Sequence, residues 1–169
     1  MKRKIVFIIN SLKNGGPVNM LYTLIKHIDA NKFDMYVIAL SKCDPNNERN
    51  FNELSCKVVT LSDNENTMKQ VNSLIEKINP DIVHSHGGRA DLVNSRLKGN
   101  FKTMITIHDM FPIEYVEYFG IVYSLYFKHN LAKTLRNTDM ILYNSIQTKK
   151  TTEKLFPAAR KIANCNAYI

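Results

Sequence analysis

The chain has 169 residues, 44% of them hydrophobic and 22% charged, which is the composition of a globular protein and excludes a disordered, coiled-coil or collagen-like chain. Its net charge is +8, and residues 128–161 alone hold eight basic side chains against Asp139 and Glu153, a local excess of +6. Such a face attracts phosphate, nucleic acid or acidic lipid, or simply keeps a surface solvated.

No apolar run is long enough to cross a bilayer. The basic start, Met1-Lys2-Arg3-Lys4, is followed by only five apolar residues before Asn10. That is too short for a signal peptide, so a cytoplasmic location is expected. The three cysteines, Cys43, Cys56 and Cys165, are far apart and odd in number. They supply neither a disulfide framework nor a CxxC metal knuckle.

Residues 5–9, Ile-Val-Phe-Ile-Ile, are continuously apolar and end at Asn10-Ser11. This is the pattern of a central parallel strand buried on both faces. Lys13-Asn14-Gly15-Gly16-Pro17 is a turn that can place Pro17 at the first position of a helix. Val18, Leu21, Tyr22, Ile25 and Ile28 then recur at helical spacing. A second strand is expected over 35–40, followed by a long polar loop over 42–55 that contains Asp44-Pro45-Asn46-Asn47.

A strand over 57–61 precedes a helix marked by Met68, Val71, Leu74, Ile75 and Ile78, which stops at Asn79-Pro80. Further strands are expected over 81–86, 103–108 and 139–143. Between them lie a helix over 90–97 and a long, mostly helical stretch over 115–135 that contains Gly120. Ser145 can cap a last helix reaching 155 or 156. No internal repeat or low-complexity tract is present. Strands alternating with helices predict an α/β fold, with a doubly wound, mostly parallel Rossmann-like sheet and helices on both faces.

Four strands turn polar at their carboxyl ends: Asn10-Ser11, His84-Ser85-His86, His108-Asp109 and Asn144-Ser145. Open α/β sheets bind ligands outside those ends, where strand order reverses, and polar groups there cost little desolvation. Gly15-Gly16 lets a backbone approach a ligand at a helix N-terminus, or is only a tight turn. Neither GxGxxG nor a P-loop is present. His84 and His86 share one face of a strand. With His108, and with Asp91 or Asp109, they offer zinc ligands, but further His or Asp close by is lacking, so no metal is expected. His108 can donate a hydrogen bond to a substrate or handle a proton, or be structural beside a capping Asp109. Tyr115, Tyr118, Phe119, Tyr123, Tyr126 and Phe127, with Lys128, His129, Lys133 and Arg136, suit an interfacial helix on acidic lipid and equally a core helix with a basic outer face.

The ordered set of landmarks resembles a family 4 retaining glycosyltransferase. Lys4-Ile-Val-Phe-Ile-Ile-Asn-Ser-Leu-Lys-Asn-Gly-Gly16 resembles that family's opening. Pro80-Asp-Ile-Val-His-Ser-His86, Thr106-Ile-His-Asp109 and Asp139-Met-Ile-Leu-Tyr-Asn-Ser145 resemble its next three landmarks. The resemblance implies the GT-B architecture of two Rossmann-like domains and metal-free transfer of a sugar from a nucleotide-sugar to an acceptor, with retention. It implies that Gly15 and Gly16 lie near the donor diphosphate and that His108 is the catalytic-site residue near the transferred sugar. Asn10, His86, Asp109, Asn144 and Ser145 would line the acceptor side.

By the same resemblance, residues 1–169 form one Rossmann-like domain, the acceptor-side half. The carboxyl-terminal nucleotide-sugar domain, with its paired glutamates, is absent. Stabilisation of the leaving diphosphate comes mostly from those groups, so the chain alone is expected to be inactive. The implied partners are a polysaccharide or lipid-linked acceptor, an acidic membrane surface on its inner face, and a separate donor-domain chain, with no cofactor and no nucleic acid. Two other classes stay open at this point. One is a basic module for nucleic acid or acidic lipid, although no recognition-helix pattern appears. The other is a metal hydrolase built on His84, His86 and His108.

Overall fold

The computed structural model describes residues 2–43, 45–62, 66–108 and 113–166, and within these the side chains of all but residues 47, 113–119, 123 and 163–166. Seven strands form one all-parallel sheet: β1 (Arg3–Ile9), β2 (Phe33–Ala39), β3 (Cys56–Thr60), β4 (Ile82–His86), β5 (Lys102–Ile107), β6 (Met140–Tyr143) and β7 (Ala163–Asn166). Their order is β3-β2-β1-β4-β5-β6-β7. The helices are α1 (Gly16–His27), α2 (Thr67–Ile78), α3 (Gly88–Asn94), α4 (Ile113–Arg136) and α5 (Ile146–Leu155). This is the doubly wound Rossmann-like arrangement expected from the alternation of elements.

The two sheet faces follow from strand parity. On one, Ile5, Phe7 and Ile9 of β1 and Met35, Val37 and Ala39 of β2 pack on Val18, Leu21 and Ile25 of α1. On the other, Val6, Ile8, Ile38 and Val83 meet Val71, Ile75 and Ile78 of α2 and Ala90 and Val93 of α3. Farther along that second face, Ile105, Ile107, Ile141 and Tyr143 meet Leu131 and Leu135 of α4 and the short helical turn that holds Ala159. A strand segment buried on both faces must be apolar at every position, as residues 5–9 of β1 are.

Three features differ from the sequence reading. The 42–55 connection is more than a polar loop: it holds 3₁₀ turns at Pro45–Asn47 and Phe51–Glu53, and Phe51, 1% exposed, joins the α1 core. Helix α3 starts two residues early, at Gly88. A seventh strand, β7, pairs along β6 in register from Met140↔Ala163 to Tyr143↔Asn166. Pro17 does open α1, and Ser145 caps α5 by accepting from the Thr148 N–H at 3.0 Å. Gly120, at φ 79, breaks α4 into two helical pieces.

Candidate functional site

Every strand is parallel, so all carboxyl ends lie along one edge. The reversal of strand order falls between β1 and β4. Ile9 stands level with His86, and His86 with Thr106. Asn10 and Gly87 come next on β1 and β4. His108 and Asn144 directly follow the Ile107↔Tyr143 pair. The polar tips therefore share one rim at the switch point, where open α/β sheets take ligands.

Parity assigns each β4 side chain a face. His84 and His86 point to the α1 side, both within reach of the Phe7 ring. Ser85 points to α3, where its hydroxyl donates to Asp91 at 2.8 Å and lies 3.2 Å from the Asn94 amide nitrogen. That amide also donates to the carbonyls of Val83 and Met104, tying α3 to β4 and β5 directly beneath the rim. The donors of this buried cluster find partners, while the Asn94 side-chain oxygen has none among the described residues.

The histidines form a stack. His84 and His86 ring centroids are 4.4 Å apart, and those of His86 and His108 are 5.4 Å apart. His84 Nε2 shares a hydrogen bond of 2.7 Å with Thr106 Oγ1, and His86 Nδ1 shares one of 3.2 Å with His108 Nε2. Burial, helped by the charge His108 would carry, pushes the His84 pKa down to about 3. Burial, with both neighbouring imidazoles, holds His86 well below the usual value. Both inner rings are therefore neutral near pH 7. Among the described residues no three His, Cys, Asp or Glu side chains converge as metal ligands.

His108 is half-buried at the rim. Asn144 holds it from below by donating to the His108 carbonyl at 2.6 Å, while its own side-chain oxygen accepts from Thr148 at 2.8 Å. Asn144 and Ser145 thus fix the His108 backbone and the start of α5. His86 is 1% exposed and lies behind His108. Asp109 lies outside the described residues.

Gly15 and Gly16 sit across the rim. Gly15 caps α1 in extended backbone that any residue adopts. A β-carbon on Gly16 would meet nothing within 4 Å, and one on Gly15 only the Lys13 carbonyl at 3.8 Å. Nothing in the fold demands glycine at either position, so space beside this turn is open.

Residues the motif reading passed over also shape the site. Gly87 has φ 95, and a β-carbon on Gly88 would lie 2.2 Å from the Phe127 ring. These glycines let the β4–α3 turn bend and let Phe127 lie on it. Their signal was a second diglycine after a strand, parallel to Gly15-Gly16. Thr106, Phe127 and Pro17 line a small cavity of about 40 Å³ at the rim. Beyond Phe127 a groove of about 240 Å³ runs between α3 and α4, past Arg89, Leu92, Tyr126 and Asn130. A larger depression of about 540 Å³ lies at the amino ends of the strands. Its carboxylates serve the fold: Asp81 accepts from the Lys4 N–H, and Asp139 from the Thr103 N–H and Lys102.

The family model for Glycosyltransferase Family 4 matches residues 14–163. The chain belongs to that family. No curated protein matches the sequence significantly. Among solved structures, Anabaena HepE in complex with UDP-glucose superposes with a TM-score of 0.74 at 14% identity, over 98% of this chain and 43% of that one. Sucrose-phosphate synthase from Thermosynechococcus elongatus superposes with a TM-score of 0.69 at 14% identity, over 98% of this chain and 47% of that one. At this identity the likeness is one of fold, the Rossmann-like half of a GT-B glycosyltransferase. The chain spans less than half the length of either neighbour.

Proposed function

We propose that residues 1–169 form the acceptor-side half of a retaining glycosyltransferase that moves a sugar from a nucleotide-sugar to a polysaccharide or lipid-linked acceptor without a metal. The observation that carries this reading is the row of Asn10, Gly87, His108 and Asn144 at the switch point, beside a diglycine turn with open space over it. In it, Gly15 and Gly16 leave room for the donor diphosphate at the start of α1, where backbone N–H groups favour an anion. His108 donates a hydrogen bond to the transferred sugar. Asn10 faces the acceptor, while His86, Asn144 and Ser145 hold that wall in shape.

This rim is one wall of a cleft. Charge develops on the leaving diphosphate during transfer, and stabilising it takes donors on the opposite wall. Residues 1–169 alone are therefore expected to give no turnover with labelled UDP-glucose and candidate acceptors, and turnover is expected once a separate chain carrying a nucleotide-sugar domain is supplied. Sustained transfer by the 169 residues alone would contradict the division of labour.

A lipid-linked acceptor is favoured by the second half of α4. Ile121, Val122, Leu125 and Tyr126 are 60–83% exposed, next to exposed Lys128, His129 and Lys133. Apolar side chains beside cations suit the surface of an acidic membrane. The side chains of Tyr115, Tyr118, Phe119 and Tyr123 lie outside those described. Among the described residues no helix is long and apolar enough to cross a membrane. Flotation with acidic vesicles is expected to carry the protein up and flotation with neutral vesicles is not; equal, negligible binding to both removes the membrane part of the reading.

A further inference from the structure

The His86 ring is buried to 1% exposure and, among the described residues, makes a single polar contact, from Nδ1 to His108 Nε2 at 3.2 Å. Among those residues its Nε2 is sealed from solvent without a hydrogen-bond partner. A bond between two imidazoles needs one N–H and one bare nitrogen. Were His108 Nε2 the donor, His86 Nδ1 would be bare and the proton of a neutral His86 would sit on Nε2, a buried N–H with no acceptor. Stranded buried N–H groups are among the rarest defects in folded proteins. With His86 Nδ1–H as donor, Nε2 is a bare nitrogen among aromatic rings and no donor is stranded.

We propose that His86 is a positioning residue that sets the tautomer of His108, holding that ring neutral with its proton on Nδ1. Full protonation of His108 would set one N–H against another, unless His86 moved its proton to the sealed side. His108 is thereby kept as a hydrogen-bond donor and not as a proton acceptor. Asn144, bonded to the His108 carbonyl, fixes the backbone while His86 fixes the proton. The tautomer rests on ring geometry alone; only its use by a sugar rests on the function proposed above.

The chain labelled with ¹⁵N-histidine tests this, since long-range ¹H–¹⁵N spectra separate bare from protonated ring nitrogens. The His108 signals are those lost in His108→Gln. The expected result is a bare Nε2 and a protonated Nδ1, with a bias of roughly tenfold or more. His86→Leu should abolish the bias. His86→Asn, whose amide N–H stands in for Nδ1–H, should restore it, an outcome that mere filling of the core would not produce. A proton on Nε2 of wild-type His108, or an unchanged tautomer in His86→Leu, overturns the proposal; should that variant not fold, the wild-type and His86→Asn spectra decide. UDP-glucose added to the same sample together with a separate chain carrying a nucleotide-sugar domain is expected to move the Nδ1 signal. Its failure to do so removes the sugar contact and leaves the tautomer assignment standing.

Discussion

At pH 5 the protein is expected to be less stable than at pH 7 by about 2 kcal/mol through His84, with a further loss in the same direction through His86. His84 and His86 are 3% and 1% exposed. Burial first, and the neighbouring rings second, lower the folded pKa of His84 to about 3 and that of His86 well below 6.5. Unfolded, both titrate near 6.5. Between 6.5 and the folded values the unfolded chain binds more protons, so acid favours unfolding. The stabilisation is complete above pH 6.5 and declines as pH falls toward the folded pKa values. His84 accounts for about 2 kcal/mol between pH 7 and pH 5, and His86 adds to it in the same direction. Urea unfolding at the two pH values measures this: with a slope of about 2 kcal/mol per M, the midpoint should drop by at least about 1 M. Replacing His84 by leucine should remove its share of the pH dependence, whatever it does to stability at pH 7. A midpoint that ignores pH would mean that water reaches these rings in solution.

Changing Gly15 and Gly16 together to alanine is expected to separate fold from function. A methyl group at either site meets no closer neighbour than the Lys13 carbonyl at 3.8 Å, and neither residue lies in the left-handed region that favours glycine. Alanine is more favourable than glycine by up to about 1 kcal/mol at Gly16, in the first turn, and less favourable at Gly15, the N-cap, so the two changes offset and the melting temperature should stay within about 4 °C. Transfer by the chain combined with a separate nucleotide-sugar domain should fall by about 100-fold, because methyl groups would hold the diphosphate off the backbone and a misplacement near 1 Å costs that much. Full activity in the double variant would show that no ligand approaches this turn. A large drop in melting temperature would make the glycines structural.

Much of the rim was legible because strand ends punctuate apolar runs. Asn10, His108 and Asn144 stand at such ends, and in a parallel sheet these cannot scatter. What escaped depended on distant partners. No spacing rule encodes Phe127 lying on Gly88, 39 positions earlier, or Thr106 meeting His84. The burial of His86 was hidden by its place at a strand tip, where exposure is the ordinary outcome. Strand β7 has no apolar run of its own and exists through backbone pairing to β6. Phe51 was lost in a polar neighbourhood, although one aromatic ring is enough to anchor a loop. Family membership needed the ordered set of landmarks, since each alone occurs in unrelated chains.

The connection from α2 to β4 is short and pinned. Asn79 adopts the left-handed conformation at φ 51, the Lys4 ammonium donates to the Ile78 carbonyl, and the backbones of Lys4 and Asp81 are bonded. This anchorage decides which alternate residues of β4 look toward α1. One inserted residue would swap the two sets, presenting valine and serine behind His108 and driving both imidazoles into the aliphatic layer under α3. Four residues far from the rim therefore act as a phase setting for it, and length changes that the 42–55 connection can absorb would scramble the chemistry if made here.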